Sequence, residues 1–314
     1  MNLLERLQGG IFGVATGDAL GVPYEFLSRQ RMERFPATDM IGHGTHNQPV
    51  GTWSDDSSLT FCLMEGLLSG YNTKIIAQKF VAWYDRSYWT PHGSVFDIGI
   101  TTRQAIYRLE QGHTPEICGG MGEYDNGNGS LMRILPLVYF LKDEENIEER
   151  YQITKEVSSM THGHLRSILA CFIYVELSLL LLNGTEKFQA YTKVKEAVNA
   201  FIKAQDFNEK EVGFYYEILQ QDISKRDPEY IRGSGYVLNS LEASLWCFLT
   251  TDSYETCVLK AVNLGEDTDT TAAIAGGLAG IYYGFDGIPE TWKCQLARYE
   301  DIHNLIDRFH ESLT

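Results

Sequence analysis

Trp53-Ser54-Asp55-Asp56-Ser57-Ser58-Leu59-Thr60-Phe61-Cys62-Leu63-Met64-Glu65-Gly66-Leu67 reads as the start and body of a helix. Ser and Asp at its head suit a helix N-terminus, where free N–H groups and the positive end of the dipole need oxygen partners. Behind them Leu59, Cys62, Leu63, Gly66 and Leu67 fall at i, i+3, i+4, i+7 and i+8, one face of a 3.6-residue period. The same period returns along the chain. It predicts helices over roughly 75–83, 98–110, 130–141, 145–160, 165–182, 189–203, 209–220, 236–249, 254–264, 270–283 and 300–312. β-Branched alternating runs with hairpin signals are scarce. An all-α fold follows, a compact orthogonal multi-helix bundle with little or no sheet.

A second acidic stretch lies more than two hundred residues on: Gly265-Glu266-Asp267-Thr268-Asp269-Thr270. It too packs two aspartates beside hydroxyls at a helix start. Taken singly, either stretch is an ordinary cap. Caps rarely need paired aspartates with hydroxyls on both sides, and here that chemistry occurs twice. Crowded carboxylates repel, and an oxygen-only set suits hard divalent cations such as Mg²⁺ or Mn²⁺. Brought together by the fold, the two stretches would supply enough ligands for two ions side by side. The helix that follows is rich in Ala and Gly from Ala272 to Gly280. Glycine inside a helix costs about 1 kcal/mol relative to alanine, which makes sense where backbones must approach closely.

At 314 residues the chain can bury a large core, and no linker-like stretch or internal repeat divides it, so one domain over 1–314 is expected. A net charge of −16 leaves no basic excess for a nucleic-acid backbone. A small anionic ligand remains possible, because bound metals reverse the local field. The six cysteines include no CxxC pair and read as buried thiols of a reducing cytosol. Met1–Gly21 lacks the pattern of a secretion signal. The most apolar run, Ile168–Leu182, contains Glu176 and reads as a buried core helix too short to span a bilayer. Three irregular stretches, about 22–52, 112–129 and 222–235, are long enough to carry function.

Seven motifs, in this order, resemble the ADP-ribosylglycohydrolase family of the dinitrogenase reductase-activating type. They are Gly13-Val14-Ala15-Thr16-Gly17-Asp18-Ala19-Leu20-Gly21-Val22-Pro23-Tyr24-Glu25, Thr52–Ser57, Phe96-Asp97-Ile98-Gly99, Gly127–Pro136, Thr161-His162-Gly163-His164, Gly235-Tyr236-Val237 and Gly265–Thr270. The resemblance implies an all-α enzyme with two Mg²⁺ or Mn²⁺ ions. It implies cleavage of the glycosidic bond between ADP-ribose and a protein side chain or small acceptor. By resemblance, Ser54, Asp55, Asp56, Asp267, Asp269 and Thr270 hold the metals. Most relatives have Thr where this chain has Ser54, and many have Gly where it has Glu266.

The same resemblance gives Glu25 and Asp97 catalytic roles; on residue type alone they read as a loop glutamate and a helix cap. The Asn128-Gly129-Ser130 turn, with His162 and Tyr236, is expected to contact the substrate. Glycine-rich turns before a helix offer N–H groups to phosphate, though a plain capped turn and a core tyrosine are the commoner outcomes. His162 and His164 suggest a metal pair, but the break at Gly163 favours a structural role. Asp18 reads equally as a support for the metal site or as a buried acid bonded to a neighbouring helix end. The expected partner is an ADP-ribosylated protein, arginine-linked first, or a small ADP-ribosyl conjugate; nucleic acid and membrane are not expected. Two other readings remain: a silent ADP-ribose-binding or structural member, and a metal phosphoesterase.

Overall fold

The computed structural model describes residues 1–313 and contains sixteen α-helices among them, with no strand. In chain order they are α1 (Leu3–Gly21), α2 (Arg29–Arg34), α3 (Asp55–Leu67), α4 (Thr73–Arg86), α5 (Ile100–Glu110) and α6 (Pro136–Phe140). Next come α7 (Ile147–Ser159), α8 (Leu165–Leu182), α9 (Lys187–Ala204), α10 (Glu209–Gly213) and α11 (Tyr216–Leu219). The last five are α12 (Val237–Leu249), α13 (Tyr254–Val262), α14 (Thr268–Tyr283), α15 (Glu290–Gln295) and α16 (Tyr299–Ser312).

The centre is an antiparallel pair, α1 on α14, the most extensive helix–helix contact of the fold. α1 presents Gly9, Gly13, Gly17 and Gly21 on one stripe. Opposite them lie Gly280, Gly276, Ala272 and Asp269, each so close that a Cβ on the α1 glycine would enter its backbone. The small-residue run of α14 therefore serves close approach, and its partner is the glycine stripe of α1. Close backbones put the C-terminal end of α1 and the Glu25 segment beside the N-terminus of α14. Thr268 Oγ1 fixes this end by donating to Gly21 O at 2.8 Å.

Around the pair, α8, α12 and α13 pack on α14, while α3 packs on α4 and α16. α8 is 18 residues long and apolar enough to cross a membrane by length and composition, so the expected shortness of that run was an underestimate. It is a core helix all the same, 89% buried within the fold. Two expected helices are broken. The 130–141 run is helical only from Pro136, because Pro at a first helical position starts a helix and cannot sit inside one. The 209–220 run splits into α10 and α11. Five of the cysteines are buried free thiols; Cys294 is exposed, against expectation.

Candidate metal and substrate site

Both acidic stretches start helices, and the two starts converge. Ser54 is the N-cap of α3: its Oγ accepts from Asp56 N at 3.3 Å and donates to Asp56 Oδ2 at 3.0 Å. Asp267 is the N-cap of α14, with its own N–H given to Gly233 O at 2.8 Å. Thr270 Oγ1 donates across to Asp56 Oδ2 at 3.3 Å, so the stretches meet side chain to side chain. Asp18, from α1, lies behind them. Its carboxylate accepts Ser54 N, Ser57 N and Ser57 Oγ at 2.5–3.0 Å. Asp18 is thus a buried acid bonded to a neighbouring helix end, and it sets where α3 begins. Burial pushes its pKa up to about 6, against the pull of those bonds from Ser57 and Ser54.

Asp55, Asp56 and Asp269 are buried, and no lysine or arginine pairs with them among the described residues. Asp56 Oδ1 and both carboxylate oxygens of Asp269 have no hydrogen-bond partner. Buried polar atoms are normally satisfied, so three orphaned anionic oxygens in one place demand a cation or protons. Burial first, and then the neighbouring carboxylates, push Asp55, Asp56 and Asp269 well above the usual carboxylate range. Carboxylate oxygens of Asp18, Asp56 and Asp269 lie within 4.8 Å of one another, as do those of Glu25, Asp267 and Asp269. Asp269 belongs to both groups. The donor set is all oxygen, which fits a hard divalent cation.

Part of this acidic cluster forms one wall of a cleft of about 480 Å³. Glu25, Asp55, Asp97, Asp267 and Thr270 face it, together with Gly127, Asn128, Gly129 and His162. Glu25 is buried, and its Oε2 is hydrogen-bonded to Nε2 of His46. The imidazole is packed between Phe26 and Phe96, with ring centroids 5.9 and 5.3 Å away. Thr45 Oγ1 donates to Glu25 O at 2.6 Å, so the 44–46 turn grips the glutamate by backbone and side chain. Burial pushes Glu25 up to about 7; its hydrogen bond in turn pushes His46 upward. His46 was missed in the sequence. It stands in an irregular stretch, 21 residues from its partner, with no periodic or motif signal.

The sequence profile of the ADP-ribosylglycohydrolase family matches residues 1–314. This chain belongs to the ADP-ribosylglycohydrolase family. It is 31% identical over 310 residues to an ADP-ribosylarginine hydrolase, Tri1, of Serratia proteamaculans (strain 568), covering 97% of this chain and 79% of that protein. It is 27% identical to the ADP-ribosyl-[dinitrogen reductase] glycohydrolase of Rhodospirillum rubrum, covering 93% and 90%. A solved structure described as an ADP-ribosylglycohydrolase-related protein complex superposes with a TM-score of 0.80 at 30% identity, over 99% of each chain.

Within this ADP-ribosylglycohydrolase fold the other sequence-predicted residues take different places. Asp97 reaches the cleft from a left-handed backbone position, φ 49°, two residues before Gly99, the N-cap of α5; it is not itself the cap. Asn128 donates to Asp267 Oδ2 at 2.8 Å and Ser240 Oγ at 2.9 Å, so it holds a carboxylate of the acidic wall. Gly129 must lack a side chain, since a Cβ there would stand 2.8 Å from both His162 Cε1 and Thr102 Oγ1.

Two expectations, for Ser130 and Tyr236, are corrected. Ser130 is fully buried and turned toward the core, where its Oγ accepts from Ser158 Oγ at 3.0 Å and Cys171 Sγ at 3.4 Å. The turn it ends leads into further turns rather than a helix, so no helix N-terminus points at the cleft there. Tyr236 faces a neighbouring hollow with Tyr124 and Arg166, joined to the cleft at Gly127 and Gly235. Of the two histidines, His162 lines the cleft, while His164 caps α8 through Arg166 N at 3.3 Å.

Proposed function

We propose that this chain is a divalent-metal-dependent hydrolase that cleaves the N-glycosidic bond between ADP-ribose and an arginine side chain. Two relatives at 31% and 32% identity, covering 97% and 96% of this chain, carry the name ADP-ribosylarginine hydrolase. The observation that carries the chemistry is the set of orphaned, buried oxygens on Asp56 and Asp269 at two converging helix starts. Asp55, Asp56, Asp267 and Asp269, with Ser54 and Thr270, are the residues we assign to two Mg²⁺ or Mn²⁺ ions. Bound there, such ions would orient ribose hydroxyls and lower the pKa of a water.

In the reaction the bond from the anomeric carbon to the guanidine nitrogen breaks and one to a water oxygen forms. We assign the proton released by that water to Glu25, a buried carboxyl within 4.8 Å of the Asp267 and Asp269 oxygens, which takes it and returns it to the leaving guanidine nitrogen. Asp97 faces the same cleft and is assigned to the ribose. Asn128 keeps Asp267 aimed, and His162 and Gly129 contact the diphosphate-ribose portion. A silent binding member would have no reason to keep Asp55, Asp56, Asp269 and Glu25 buried together.

The test is release of free ADP-ribose from arginine-ADP-ribosylated protein in Mg²⁺ or Mn²⁺, with EDTA as the control. AMP as the product would instead establish a phosphoesterase, and no turnover with tight ADP-ribose binding would establish a silent member. A panel of other linkages decides whether arginine is the preferred one.

A further inference from the structure

Arg133 is fully buried, yet no carboxylate pairs with it among the described residues, and its Nε and Nη1 have no hydrogen-bond partner. Its guanidinium carbon lies 4.5 Å from the centroid of the Phe80 ring. The third nitrogen, Nη2, donates to Val157 O at 3.1 Å and Thr161 Oγ1 at 2.8 Å. Thr161 Oγ1 in turn lies 3.0 Å from His162 Nδ1, and the ring of His162 lines the cleft beside Gly127 and Gly129. An unpaired buried cation is expensive to keep, so its side-chain hydrogen bond, in line with a cleft histidine, calls for an explanation.

We propose that Arg133 and Thr161 form a one-way hydrogen-bond relay that locks His162 as its Nε2–H tautomer, a neutral donor aimed into the cleft at an anionic ligand oxygen. The direction follows from what each group can do. A guanidinium only donates, so Thr161 Oγ1 is an acceptor toward Arg133. The hydroxyl proton of Thr161 then needs an acceptor, and His162 Nδ1 is the one within reach. An Nδ1 that accepts carries no proton, so the single proton of the neutral ring sits on Nε2. A protonated ring, or the Nδ1–H tautomer, would leave the buried Thr161 hydrogen facing another hydrogen. Nε2 has no protein partner among the described residues and borders the glycine turn, where a ligand oxygen can meet it. The same geometry explains the cation: burial, and then the charge of Arg133, depress His162 to about 3, so the ring does not charge at neutral pH. Arg133 and Thr161 are positioning residues, and the donor role rests on the reading that the cleft takes an ADP-ribosyl group.

Nitrogen-15 NMR of the imidazoles tests the relay without any ligand, with His162→Asn assigning the signal. Expected are a protonated, pyrrole-type Nε2 and a bare Nδ1, unchanged between pH 5 and 8. Thr161→Val keeps the shape, removes the hydroxyl, and should mix or reverse the tautomers; Thr161→Ser should restore them. Calorimetry with ADP-ribose in Mg²⁺ should show a roughly tenfold weaker Kd for the Val variant, the loss of one charge-assisted hydrogen bond, and near-normal Kd for Ser. A wild-type Nδ1–H tautomer, or an unchanged tautomer in Thr161→Val, overturns the relay. A changed tautomer with unchanged Kd overturns the donor role. If wild type binds no ADP-ribose, the functional reading and the donor role fail, while the NMR spectrum still decides the relay.

Discussion

Thr270 Oγ1 and Asp56 Oδ2 are hydrogen-bonded at 3.3 Å although 214 positions separate them in the chain. Each belongs to the first turn of its helix, so this contact ties the N-termini of α3 and α14 together. Asp269, one residue before Thr270, is left with both oxygens unpartnered among like charges. Asp269→Asn should therefore raise the melting temperature of the EDTA-treated protein, because one buried negative charge is gone. It should also abolish the further rise that Mg²⁺ or Mn²⁺ gives the wild type, and abolish turnover. Thermal scans with and without metal check both halves; a normal metal-induced rise in the variant would remove Asp269 from the ligand set.

The acidic wall also fixes how the metal-free protein responds to pH. Glu25 is raised from the usual 4.5 to about 7 and Asp18 from 3.8 to about 6, with burial the main cause in both. Asp55, Asp56, Asp267 and Asp269 are raised as well, and so is His46. A group whose folded pKa exceeds its unfolded pKa stabilises the fold fully below the unfolded value. That contribution is lost as pH climbs through the folded value. The chelated protein should therefore, from these groups, be most stable below about pH 4 and lose stability steadily up to pH 7 and beyond. Millimolar Mg²⁺ should flatten that slope, since a cation replaces the protons. A chelated protein whose melting temperature rises from pH 5 to 8 would contradict the burial of these acids.

The glycine seam makes a sharp contrast of two substitutions. A Cβ at Gly13 would run into the backbone of Gly276, and neither helix can move without dragging the acidic wall. Gly13→Ala should destabilise by about 3 kcal/mol or more. Gly213, at the end of α10, has nothing within 4 Å of its would-be Cβ. Gly213→Ala should change stability by no more than about 1 kcal/mol, in the stabilising direction. Urea denaturation of the two variants separates them; equal effects would show that the seam can open to admit a methyl group.

What could be read in the sequence was what is local. The Ser54-Asp55-Asp56 and Asp267-Thr268-Asp269 heads each cap the helix they precede, and the apolar period behind them sets α3 and α14. The small residues of α14 announced a close neighbour. They could not say which one, because a four-residue glycine spacing in α1 marks a stripe without naming its partner. Ser130 and Tyr236 show the other limit. Both flank glycine turns, and which way a side chain leaves such a turn depends on backbone torsions that residue types do not set. His46 reaches Glu25 only because the 44–46 turn folds over Pro23, with Gly44 at φ 61° against its backbone. Asp97 likewise owes its direction to a positive φ.

Glu266 has a conformational meaning. Its φ is 65°, in the left-handed region that a side chain disfavours by about 1–2 kcal/mol. Its backbone is held there by bonds with Leu27 O at 2.7 Å and Phe26 N at 2.6 Å. Glu266→Gly should relieve part of that strain, offset by the greater freedom of glycine in the unfolded chain, and stabilise by up to about 1 kcal/mol. Activity should persist, because the side chain is exposed. A fall in melting temperature would show that the carboxylate makes a favourable contact that outweighs the strain.

Glu25→Gln tests the assigned proton carrier with little change of shape. The glutamine still fills the site, keeps a carbonyl oxygen for His46, and leaves the grip of Thr45 on Glu25 O intact, since that bond is to backbone. What it loses is the ability to take and return a proton. General acid–base contributions are about 10²–10⁴-fold, so kcat should fall by that order. ADP-ribose binding should be largely kept, because Asn128, Gly129 and His162, which line the same cleft, are unchanged. Turnover and calorimetry on one preparation give both numbers. Wild-type kcat would remove Glu25 from the chemistry. Loss of ADP-ribose binding along with turnover would recast Glu25, already within 4.8 Å of Asp267 and Asp269 oxygens, as part of the metal shell. His46→Gln separates the two cases further. If the imidazole only orients Glu25, its loss should lower kcat less than Glu25→Gln does and leave the metal-induced rise in melting temperature unchanged.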